Sequence, residues 1–141
     1  MKRFFTYTLF LVIVIFALMP VKAQAPVATP QQAIKALLNR IGGDGAADRF
    51  VTIIDGTLDD TTGKDVFIIT SKDGKPCIKG NNVLSVATGI NWYLNHYAHI
   101  NLTWNNLVTD LSKATLPLPS GEEKHESTSK YRYDFNTCTF S

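Results

Sequence analysis

The residues able to do chemistry are few and scattered. Asp55, Asp59, Asp60, Asp65 and Asp73 sit in expected turns, where short carboxylates cap backbone groups, so no catalytic pair emerges from their spacing. Glu122, Glu123 and Glu126 crowd into a stretch without a large apolar residue and read as a solvated charged loop. His96 and His99 lie three apart near the end of a helix pattern, with Cys77 as a distant third ligand. A zinc site wants three or four ligands at defined spacing, so no metal or other cofactor is expected. Asn101-Leu102-Thr103 matches the N-glycosylation pattern but falls on an expected strand. Gly42-Gly43-Asp44-Gly45 follows a helix, whereas a phosphate loop precedes one, and the nucleotide reading falls.

These side chains have to be positioned by one ordinary-sized domain, which is all that 141 residues allow. Hydrophobic residues at 45% exclude a disordered chain, and charged residues at only 18% leave no field that calls for nucleic acid. Two cysteines cannot make a disulfide scaffold. The N-terminus opens with Lys2 and Arg3, runs apolar from Leu9 to Met19 and then gives Pro20 and Val21-Lys22-Ala23-Gln24-Ala25. This pattern reads as a secretory signal peptide over residues 1–25, because a membrane anchor needs about 20 apolar residues. Removing it also removes Lys2, Arg3 and Lys22, which leaves 11 basic against 12 acidic residues and a net charge of −1. The expected location is the periplasm or the extracellular space, with no stable membrane anchor.

An α/β (α+β) unit follows, a small sheet of four or five strands with two main helices packed on it. Thr29-Pro30-Gln31-Gln32 reads as a capping box ahead of a helix over 30–41, with Ile34, Leu37, Leu38 and Ile41 on one stripe. Strands are predicted at 50–54, 66–70 and 76–79, the last two joined as a hairpin by Asp73-Gly74. Pro76 puts the third at its own beginning or at a sheet edge. A second helix is predicted over 83–97, burying Val83, Val86, Ala87, Ile90, Leu94 and Tyr97. A fourth strand is expected at 100–104 and a possible fifth at 107–111. Opposite the core stripe of the second helix, Ser85, Gly89, Trp92, His96 and His99 group together, and a tryptophan there points to a covered surface. The first helix, a loop or a neighbouring domain could each supply the cover. The N-terminal domain is placed at 26–119 and a linker loop at 120–130; Tyr131-Arg132-Tyr133-Asp134-Phe135 then alternates like the start of a new element.

One family shares these pieces in order. Lys75 to Gly80, the helix ending Ile90-Asn91-Trp92-Tyr93-Leu94, Ile100 to Trp104, Leu116-Pro117-Leu118-Pro119 and Tyr131 to Thr139 resemble α-N-acetylglucosaminidases, glycoside hydrolase family 89. The resemblance implies a small N-terminal α/β domain ahead of a (β/α)8 barrel, with residues 131–141 as the first barrel strand of a chain truncated there. It also implies removal of terminal α-linked N-acetylglucosamine from glycans with retention, which needs two carboxyls about 5–5.5 Å apart. Both glutamates come from the barrel, so this segment would be inactive and would scaffold the missing barrel, its main partner. The family's pocket Asn and Cys match Asn136 and Cys138, the implied substrate-binding residues, and that role makes a Cys77–Cys138 disulfide unexpected. The alternative is a free-standing secreted module that binds glycan or protein through Trp92, Trp104 and the tyrosines.

Overall fold

A computed structural model describes residues 27–58, 63–103, 105 and 109–128. The expected signal peptide and the expected barrel strand lie outside the described residues, as do Asp59, Asp60 and Trp104.

Helix α1 spans Pro30–Gly42 and starts as its sequence demands. The Thr29 hydroxyl accepts the Gln32 N–H at 3.3 Å, and the Gln32 side-chain oxygen accepts the Thr29 N–H at 2.7 Å. Gly43, at φ 84°, ends the helix by donating its N–H to the Asn39 carbonyl at 3.0 Å. Ile34 and Leu38 are fully buried, while Leu37 and Ile41 flank them.

Strands β1 (Val51–Ile54), β2 (Val66–Lys72), β3 (Lys75–Gly80) and β4 (Glu123–Glu126) form one mixed sheet in the order β1-β3-β2-β4. The β2–β3 hairpin turns through Asp73 and Gly74, with φ 53° and 71°, the two positive values a type I′ turn requires. β1 runs parallel to β3, and β4 runs antiparallel to β2. β3 is therefore central, and of the two placements open to Pro76 it takes the strand start, opposite Ser71.

Helix α2 spans Val83–His96, capped by the Asn82 carboxamide oxygen, which accepts the Ser85 N–H at 2.9 Å. Its buried face comprises Ser85, Val86, Gly89, Ile90, Tyr93 and Leu94. Three of the six residues expected at this contact, Val83, Ala87 and Tyr97, lie half-buried at its flank. Val86, Ile90 and Leu94 hold their expected places, and Ser85 and Gly89 join them. Small residues allow the helix to lie close on Phe67 and Ile78, and the buried Ser85 hydroxyl donates to the Asn81 side-chain oxygen at 2.6 Å. Tyr93 is fully buried because its hydroxyl donates to the Pro117 carbonyl at 2.8 Å while its ring meets Phe50 edge-on at 5.7 Å.

The fourth strand is not where apolar alternation predicts it. Residues 100–103 form only an isolated bridge at Thr103, and Ile100 and Leu102 pack on the core from an irregular segment. Thr109–Leu111 is likewise no strand: the chain clasps the end of α1, with Thr109 N–H on the Ile41 carbonyl at 2.7 Å and Leu111 N–H on the Gly42 carbonyl at 2.9 Å. Arg49 fixes the return by donating to the carbonyls of Leu111 and Ala114. The sheet is instead completed from within 120–130, where Glu123 pairs with Ile69 and Glu126 with Val66. That stretch is thus not wholly the exposed loop its charges suggested.

Gln31 on α1 reaches across to β1, its amide donating to the Thr52 carbonyl at 2.9 Å and to the Thr52 hydroxyl at 2.7 Å. The helices share a core with Phe67, Ile69 and Ile78. Strand alternation turns Val66, Ile68 and Cys77 to the opposite face, yet these are only 1%, 8% and 2% exposed.

Candidate functional site

The chemistry-bearing side chains converge where β4 meets α2. Along β4, alternation directs Glu123 and His125 to the helix side and leaves Lys124 and Glu126 exposed. Register sets His125 opposite Phe67, and the two rings stack at 4.8 Å. Trp92 of α2 lies 4.3 Å from His125 and 4.1 Å from His96, one helical turn on. The cover that Trp92 calls for therefore comes from β4 and from its own helix, not from α1.

Glu123 ties this ring cluster together. One carboxylate oxygen accepts the Tyr97 hydroxyl at 2.6 Å, and the other lies 2.6 Å from His125 Nε2. The Tyr97 hydrogen bond, and after it the one from His125, hold the Glu123 carboxyl below its usual range. The same bond, aided by desolvation, raises Tyr97, so the proton stays on the phenol and Glu123 stays ionised.

Beside the rings lies an open cleft of about 210 Å³, lined by Asp65, Phe67, Ser85, Thr88, Trp92 and His125, with Glu126 and Ser127 at its rim. Its polar groups have partners within the domain. Asp65 accepts from the Asn82 amide at 2.6 Å, Ser85 donates to Asn81, Thr88 donates to the Leu84 carbonyl at 2.9 Å, and Glu126 pairs with Lys64 at 3.0 Å. The arrangement clamps a strand that has no apolar side chain of its own.

The other candidates stay apart. Asp55 does the turn work its position predicts, accepting the N–H and hydroxyl of Thr57 at 3.0 and 2.6 Å. The Lys79 ammonium, 2.8 Å away, and the Thr57 bonds push its carboxyl far down. His96 packs against Trp92 at a tilt of 31°, while His99 is exposed with φ 55°. Cys77 is a buried free thiol on the far face of β3, and burial raises its pKa, which keeps it unreactive. Among the described residues no group of three or more His, Cys, Asp or Glu comes together that could hold a metal ion. No described helix is long and apolar enough to cross a membrane. Asn101 is exposed on irregular chain, not on a strand. Asn136 and Cys138 lie outside the described residues.

Sequence reasoning missed Glu123 and His125 as anchors. The available signal was Trp92, which needed a cover, together with the alternation Glu-Lys-His-Glu.

The fold and this clamp define an α+β domain, two helices on one face of a four-stranded mixed sheet whose edge strand is held by polar and aromatic contacts. Its sequence places it further: residues 32–119 match the family described as the alpha-N-acetylglucosaminidase (NAGLU) N-terminal domain, and the chain belongs to that family. Among solved structures it is similar to a family 89 glycoside hydrolase from Clostridium perfringens in complex with PUGNAc. The two are 30% identical, with a TM-score of 0.58, over 79% of this chain. The complex of the Clostridium perfringens enzyme with 2-acetamido-1,2-dideoxynojirmycin gives the same identity, score and coverage. A variant of it bound to its substrate GlcNAc-alpha-1,4-galactose is 29% identical with a TM-score of 0.57, over 74% of this chain. This chain spans 12% of the length of each of these structures. No curated protein matches it.

Proposed function

We propose that this chain is the N-terminal, non-catalytic domain of an exported α-N-acetylglucosaminidase, and that it scaffolds a catalytic barrel which removes terminal α-linked N-acetylglucosamine from glycans. The observation that carries this reading is the match to an α-N-acetylglucosaminidase N-terminal domain over residues 32–119, within a chain that spans only 12% of its family 89 relatives. The electrostatics support it. Retaining hydrolysis needs one carboxyl raised to act as an acid beside one that stays ionised. Asp55, Asp110 and Glu123 are held below the usual carboxylate range by hydrogen bonds from their neighbours. In this reading the acid and the nucleophile come from the barrel. Export rests on the signal-like residues 1–25, with the periplasm or the extracellular space as destination. Asn136 and Cys138 contact the sugar; Asn suits hydroxyl recognition because it both donates and accepts.

A free-standing glycan-binding module is the weaker reading, because Trp92 already packs against His96 and His125 in tilted contacts and Phe67 is stacked by His125. The test is hydrolysis of an aryl α-N-acetylglucosaminide. The 141-residue chain should give none, and a protein extended to the length of the relatives should turn it over. In that longer protein Asn136→Ala should lower kcat/KM without lowering stability. Turnover by the 141-residue chain alone would refute the scaffold role.

A further inference from the structure

No further inference is drawn: the strongest candidate, the apolar sheet face of Val66, Ile68 and Cys77 turned away from both helices, carries none because nothing in the structure shows what covers it.

Discussion

Gly89 sets how closely α2 lies on the sheet, and Gly89→Ala tests that closeness. Two effects oppose each other. Alanine favours a helix interior over glycine by about 1 kcal/mol, so propensity alone makes the change stabilising. A methyl group at this position, however, would stand 2.7 Å from Ile78 Cγ2 and 3.0 Å from Phe67 Cδ2. Comfortable carbon contacts lie at about 3.5–4.0 Å, so the overlap with Ile78 approaches ~1 Å. Neither neighbour has room to retreat: Ile78 is fully buried in the central strand, and Phe67, 8% exposed, is backed by His125. Overpacking of a filled core costs about 1–3 kcal/mol, and two pinned neighbours put this site in the upper part of that range. The net expectation is a loss of about 1–2 kcal/mol, which in a domain of about 100 residues lowers Tm by roughly 5–15 °C. Urea unfolding followed by far-UV circular dichroism measures it, with the midpoint falling and the m value unchanged. Because the strain passes through Phe67 to His125, amide protection along β4 should fall further than along β1. A variant as stable as the parent, or more so, would mean that propensity wins and that α2 stands off the sheet.

Leu94 is fully buried in the helix–sheet core, so Leu94→Ala should cost about 2–5 kcal/mol by urea unfolding; an unchanged midpoint would remove it from the core. Thr29→Ala breaks the capping box of α1 and should cost about 1 kcal/mol in the same assay, with helical signal lost first at that end. Because the folded Glu123 carboxyl lies below its ordinary 4.5, its hold on β4 is complete above that pH and is lost as pH falls through the lowered value. Protection factors of the β4 amides, taken relative to the intrinsic exchange rate at each pH, should accordingly fall on acidification, and Glu123→Gln should abolish that pH dependence. A β4 equally protected at acid pH in the parent would show that the carboxylate does not hold the strand.

Local chemistry made much of this fold legible. The cap at Thr29, the glycine stop at Gly43 and the Asp73-Gly74 turn each depend on neighbours within four residues, and each stands where the sequence places it. What stayed hidden depends on partners far along the chain. β4 carries no apolar residue, so hydropathy gives it no weight; Phe67, Trp92 and Tyr97, each more than 25 positions away, make it a strand. Conversely, Ile100 and Leu102 alternate like a strand but bury their side chains without entering the ladder. The face of α2 was only partly readable, since Ser85 and Gly89 are too small to register as core and are buried because they are small. Those same positions marked Trp92 for cover, but not that a histidine would provide it.

The contact between Gln31 and β1 bears on how this domain avoids joining sheets with its neighbours. The Asp55 N–H reaches the Gly80 carbonyl of β3 at 2.8 Å, so alternation turns the Thr52 carbonyl outward, to the outer margin of the described sheet. An incoming strand would need that oxygen as an acceptor, and the Gln31 amide already occupies it at 2.9 Å. At the opposite margin β4 exposes Lys124 and Glu126, charges that an added strand would have to desolvate. Both edges of the described sheet are thus guarded against strand addition, one by a helix side chain and the other by charge. Edge pairing, the ordinary hazard of a small open sheet, is thereby disfavoured along the described strands.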